Sequence, residues 1–319
     1  MQKTNISKKI MSIETEKAMY DNACKNVLKD KQIMARILKE CVDEFADCTI
    51  ADIINYAFTG KIYVGSYPVD ANSVPPELEN EDAEDNVLNE GLIKYDIRFT
   101  VTVPNSDEEI ALIVNIEAQN DHYLQYELVT RAIYYCSRMI SAQKESVFLN
   151  SDYHKIRKVY SIWLCMNPPN KEKNSITRYD ITEKMIQGCV TRPKKSFDLL
   201  SVTMVYLGEA YRDSYDDIIG LLSSLFSNQM PQNEKCNVLE EKYGIAMTKE
   251  LERSVGSMCN LSKGVWEDGN QAGIQTGILE SIIKMMNNLG LSLEQAMSAL
   301  EISDNQRPEY EEMLKDSRK

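Results

Sequence analysis

Three polar residues beside two apolar stretches are where this sequence can do chemistry: Asp96, Glu117 and Gln119. Glu117 and Gln119 close the run from Ile110 to Gln119, which is otherwise mostly apolar and rich in β-formers. On a strand, side chains alternate faces, so these two point the same way. A buried carboxylate without a partner is costly, so a polar pair ending an apolar strand needs a reason. Asp96 supplies one, from the second β-prone stretch, Leu92 to Val103. The turn cluster Pro104-Asn105-Ser106-Asp107 predicts a hairpin that brings Asp96 beside Glu117. Two adjacent carboxylates repel unless a cation sits between them, and hard oxygen ligands favour Mg2+ or Mn2+. Such a cation acidifies water and stabilises charge growing on a scissile phosphate. The bland alternative is two surface carboxylates at strand ends.

Composition narrows the chemistry. Only two histidines occur, His122 and His154, which argues against Ser-His-Asp hydrolysis and poly-histidine metal centres. The eight cysteines are scattered without a C-x-x-C pair, so reduced, structural thiols are expected rather than a zinc site. With 36 Lys and Arg against 49 Asp and Glu, the formal charge of −13 disfavours broad, non-specific DNA binding. Much of that acidity is local, in the charged stretch Glu77 to Glu90, which reads as a solvated loop. No window approaches the roughly 20 apolar residues of a membrane span, and no apolar stretch long enough for a secretory signal follows Lys8 and Lys9. The expectation is a cytoplasmic protein that does not contact membrane.

The elements that must position the acids can be read from periodicity. From Asp21 to Phe45, apolar residues recur at helical spacing (Met34, Ile37, Leu38, Cys41, Val42, Phe45), and a short helix is predicted at Thr49 to Ala57. Lys61 to Val69 is predicted as a strand before the Leu92–Val103 and Glu109–Gln119 hairpin. Tyr123 to Gln143 reads as a helix, Val159 to Met166 as a buried strand and Leu199 to Leu207 as another. Beyond Gly208 the pattern is helical. Gly264, Gly269, Gly273 and Gly277 predict a weak or frayed stretch, because each glycine costs about 1 kcal/mol against alanine. Ser292-x-x-Gln295 and Ser303-x-x-Gln306 predict capping boxes for two terminal helices.

An Asp on one strand and a Glu-x-Gln on the next, flanked by helices in this order, resembles the PD-(D/E)XK nuclease superfamily. More narrowly, the chain resembles the PD-(D/E)XK nuclease-family transposases, related to the recombination-promoting nucleases. The resemblance is carried by Leu28 to Lys31, Ile37 to Glu40, Asn89 to Phe99, Asn115 to Asp121, Ile133 to Ile140 and Val159 to Trp163, within residues 18 to 290. It implies an α/β fold with a restriction-endonuclease-like αβββαβ core and an all-helical C-terminal extension. The expected divisions are a tail at 1–17, a core at 18–208, a helical extension at 209–263 and a glycine-punctuated helix with short helices at 264–319. Carried over by position, Asp96 and Glu117 are metal ligands, the Ala118 carbonyl is a third, and Gln119 stands where the superfamily usually has lysine. Glutamine there hydrogen-bonds but brings no charge; the recombination-promoting nucleases resemble this chain in carrying it. Tyr95 stands in place of the motif's proline.

The resemblance implies Mg2+- or Mn2+-dependent hydrolysis of DNA, in recombination or transposition. The rival expectation is a decayed nuclease fold serving in nucleic-acid binding or assembly, which the net charge and missing lysine favour. Glu40, Glu44 and Glu90 are candidate accessory acids, each weighed against a solvated role. Arg131 and Arg138, two turns apart with Tyr134 between, are candidates for substrate phosphate, against surface pairing with Glu127. The terminal helices are expected to cap the fold or join copies of the chain rather than to enter DNA, since Glu309, Glu311 and Glu312 would repel its backbone.

Overall fold

Asp30 breaks the first helical stretch in two. Its carboxylate accepts the amides of Gln32 and Ile33, at 2.9 and 3.4 Å, and so caps a new helix. What periodicity joins from Asp21 to Phe45 is therefore α1 (18–28), α2 (Lys31–Cys41) and a 3-10 turn, Asp43–Phe45. The six apolar positions named from spacing are all buried. The computed structural model describes residues 18–58, 62–68, 94–104, 111–119, 126–144, 146–209, 217–304 and 306–316.

The predicted short helix is Ile50–Asp52, labelled α3, continued by a π turn over Ile53–Ala57. A mixed six-stranded sheet follows, in the order β1-β2-β3-β4-β6-β5. β1 (Ile62–Pro68), β2 (Lys94–Thr102) and β3 (Ala111–Gln119) form an antiparallel meander. Helix α4 (Leu128–Ser141) then crosses to β4 (Val159–Cys165), which lies parallel to β3 and is buried along its whole length. β6 (Leu200–Tyr206) continues the parallel pairing, and β5 (Ser175–Asp180) closes the edge antiparallel to it. The fold is α/β.

Alternation assigns each strand two faces. Ala132, Tyr135, Cys136 and Met139 of α4 pack with Ile113, Val159, Trp163, Val202 and Met204 on one of them. The opposite face, carrying Tyr160, Ile162 and Thr203, meets α2 and its following turn, where Thr203 Oγ1 donates to the Cys41 carbonyl. β5 is absent from the periodicity reading for a physical reason. Most of its positions are exposed on both sides, so no buried stripe marks it, whereas an edge strand draws its stability from backbone pairing.

After β6 come α5 (Ile218–Leu225), buried at every position, α6 (Gln232–Asn237) and the 41-residue α7 (Lys249–Leu289). α7 runs through all four glycines, where a frayed stretch is expected. Leu251, Val255 and Met258 are buried toward its start and Ile282 toward its end, so packing at both ends offsets the glycine cost. α8 (Leu293–Ala299) opens with the full Ser292–Gln295 capping box. The second box forms only in part: Ser303 Oγ reaches the Gln306 side chain at 2.7 Å, and α9 (Arg307–Asp316) starts one residue later. The chain divides into a unit over Ala18–Cys259 and another from Asn260 on. The second has its own small core, including Ile282, Ala296, Met297, Ile302 and Tyr310. No helix among the described residues is long and apolar enough to cross a membrane. All eight cysteines are free thiols, with Cys24, Cys41, Cys136 and Cys165 buried.

Candidate active site

The hairpin register decides where the acids fall. Ile97 faces Ile116 and Arg98 faces Asn115, so the next step outward sets Asp96 against Glu117 on one face. Each carboxylate is held by the other's strand. The Asp96 amide donates to Glu117 Oε1 at 3.2 Å, and the Ala118 amide donates to Asp96 Oδ2 at 2.9 Å. This face is the one that α4 covers. Glu117 pairs in register with Trp163, a member of the α4-side core.

Glu117 is only 4% exposed. Burial, then the neighbouring Asp96 charge, pushes its carboxyl up to about 8, well above the ordinary range. Its polar contacts are the Asp96 amide and the side chain of Asn115, and no ion pair to Glu117 is formed among the described residues. Asn115 is itself buried, donates to Ser161 Oγ at 3.3 Å and leaves its own Oδ1 without a partner. Trp163 Nε1 donates to the same Ser161 oxygen at 2.9 Å. Beneath the acid pair, then, a polar chain of Asn115, Ser161 and Trp163 fixes the floor.

Two cations approach. Lys25, from α1, holds Asp96 Oδ1 at 2.8 Å with its side chain only 17% exposed. Burial works against its charge, but the Asp96 carboxylate more than compensates and raises its pKa. Arg131 lies over the rings of Tyr135 and Trp163, 5.0 and 5.2 Å from their centroids, and donates to the Tyr135 hydroxyl from Nε and Nη2. Its charge is felt at Glu117 and favours the ionised carboxylate.

No known protein family matches this chain, and neither a curated protein nor a solved structure matches it.

The expected site residues separate into those brought together and those kept apart. Asp96, Glu117, the Ala118 backbone and Arg131 converge. Gln119 shares Glu117's face by alternation, and its carbonyl accepts the Met166 amide at 2.9 Å. Arg138 stands seven residues along α4 from Arg131, about 10 Å further on, and the site contacts do not include it. Glu40 is exposed on α2. Glu44 lies on the opposite side of the sheet, accepting from the Tyr160 hydroxyl at 2.5 Å and pairing with Lys158 at 3.6 Å. Glu90 is outside the described residues. Sequence reasoning missed Lys25 and Asn115. Lys25 belongs to a helix far along the chain, and no spacing rule links it to Asp96. Asn115, in phase with Glu117 two residues away, was findable as a polar residue inside an apolar strand.

The donor set fits a hard divalent cation. It offers two carboxylates on adjacent strands, one buried without an ion-pair partner, beside a strand-end backbone. Among the described residues no group of three His, Cys, Asp or Glu side chains clusters as a metal cage, so a cation here would use backbone, water and substrate oxygens as well.

Proposed function

We propose that the Ala18–Cys259 unit is a metal-dependent phosphodiesterase acting on DNA, built on a restriction-endonuclease-like core. The resemblance noted in the sequence adds a role in recombination or transposition. The observation that carries the reading is the facing pair Asp96 and Glu117, with Glu117 buried and its carboxyl displaced upward by burial and by its neighbour.

Asp96, Glu117 and the Ala118 carbonyl are the groups that would hold Mg2+ or Mn2+. Bound there, the ion supplies Lewis acidity toward water and phosphate. The remaining work falls to the chain's own residues. Gln119 orients water through its amide, which both donates and accepts. Lys25 brings the fixed positive charge that a Glu-x-Gln motif lacks, from α1 instead of from β3. Arg131, its guanidinium pre-set against two rings, offers its outward N–H groups to a phosphate oxygen.

The test is nicking of supercoiled plasmid by purified protein with Mg2+ or Mn2+, beside an Asp96→Ala variant. Metal-dependent nicking lost in the variant is expected; equal nicking by both removes Asp96 from the mechanism. One observation favours the rival reading of a decayed fold: Lys25 already neutralises Asp96. Titration with Mn2+ separates the two. A decayed site binds Mn2+ no better than Asp96→Ala does.

A further inference from the structure

The face that carries the acids continues sideways into a hollow. By register, Gln119, Cys165, Tyr206 and Ser175 form a row across β3, β4, β6 and β5. Neighbouring strands are about 4.8 Å apart, so the row spans roughly 14 Å. It ends in a cavity of about 600 Å³ between the start of α4 and β5. That size is in the range of small-ligand sites.

Three tyrosines line this cavity: Tyr126, Tyr179 and Tyr206. Tyr206 packs partly against the α4-side core, and core packing explains it. The same explanation fails for the other two. Tyr126 is 50% exposed and Tyr179 38% exposed, so both leave large ring surfaces in water at the rim of one hollow. The charged groups are Glu127, Glu172 and Lys171. Two carboxylates against one ammonium make the cavity unwelcoming to a phosphate. They suit the exocyclic amino groups of bases, which donate to carboxylates. Tyrosine faces stack on any base, and stacking is the main device of single-strand binding.

We propose that this cavity takes an unpaired base of a single DNA strand, a few nucleotides from the phosphate that Arg131 meets beside the acid pair. The proposal rests on the phosphodiesterase reading for its register, but its binding step does not require hydrolysis. A base in a duplex is stacked on its neighbours and cannot enter. The site therefore selects single-stranded or flipped-out substrate, with the backbone passing the start of α4.

The experiment is fluorescence polarisation of an end-labelled single-stranded oligonucleotide, with EDTA present so that nothing is cut. Wild type is compared with Tyr126→Ala, Tyr179→Ala and Tyr179→Phe, each checked for an unchanged melting temperature. The alanine variants are expected to bind about tenfold more weakly, Tyr179→Phe like wild type, and a matched duplex more weakly than the single strand. Alanine variants that bind like wild type, or a duplex bound as well as the single strand, overturn the proposal. Wild-type nicking with Mg2+ separates the two ideas, because the tyrosine-dependent binding is read with EDTA present. Nicking intact with the tyrosines irrelevant sinks the base cavity alone; tyrosine-dependent binding without metal-dependent nicking sinks the hydrolytic reading alone.

Discussion

The two faces of the central sheet each carry a cluster of charged groups, and the clusters are built on opposite plans. Toward α2, three acids meet three cations. Asp198 is paired with Lys158 at 2.7 Å and Lys194 at 3.4 Å, Glu44 with Lys158, and Asp43 with Arg178. Tyr160 adds its hydroxyl to Glu44, and burial and that carboxylate raise the pKa of the phenol far above its usual value. Toward α4, Asp96 has Lys25, but Glu117 has only amide donors and a guanidinium that is committed to Tyr135. Both clusters contain acids that motif reading flags. What separates them is direct compensation: each acid toward α2 pairs with a cation, whereas the buried Glu117 has no ion-pair partner among the described residues and tends to keep its proton instead.

Four substitutions and one titration sharpen or break that contrast. The largest effect is expected from Glu117→Gln, with metal-dependent nicking down at least about a hundredfold, since even groups that only support metal ligands are worth about 10–100-fold. Retained nicking would place the chemistry elsewhere. Next is Lys25→Ala, with nicking reduced on the order of tenfold while Mn2+ affinity rises, because the competing charge on Asp96 is gone. A parallel loss of metal affinity would instead make Lys25 a scaffold residue. On the other face, Lys158→Met strips a buried carboxylate of its nearest cation. It should cost about 3 kcal/mol in denaturant unfolding, with Mn2+ affinity of the folded protein unchanged.

The titration follows from the sign of the Glu117 shift. Its carboxyl is ordinary when unfolded and raised to about 8 when folded, so the folded state holds the proton more tightly. This group's contribution is therefore full below the ordinary carboxylate range and is lost as pH rises toward 8. Without metal, the melting temperature of wild type should fall over that window relative to Glu117→Gln, and Mn2+ affinity should rise over it. Parallel melting curves for the two proteins would show that Glu117 ionises without penalty. The smallest effect is expected from Glu40→Gln, exposed on α2: no measurable change in nicking or metal affinity, and any large loss would draw α2 into the site.

The antiparallel pairing of β2 with β3 and the face shared by Asp96 and Glu117 were legible in the sequence because strand alternation is a local signal; the turn expected between them lies, beyond Pro104, outside the described residues. The same locality explains what was not. Lys25 reaches Asp96 across 71 positions of chain, a relation only tertiary packing creates. Glu44 looked like an accessory acid because it lies near the edge of an apolar helical stripe, yet α2 and the 3-10 turn that follows it pack on the face opposite Asp96 and Glu117. β5 escaped because an exposed edge strand leaves no buried rhythm, and the break at Asp30 because one capping carboxylate, not a change of period, divides α1 from α2.

The reciprocal grip of the acids, each held by a backbone amide of the facing strand, has a consequence for half-made molecules. Sliding β2 by a single residue along β3 would turn Asp96 to the far side and undo both bonds at once. The facing acid pair is thereby assembled only when the two strands are correctly aligned. On the proposed phosphodiesterase reading, a misthreaded or nascent copy would therefore be inert.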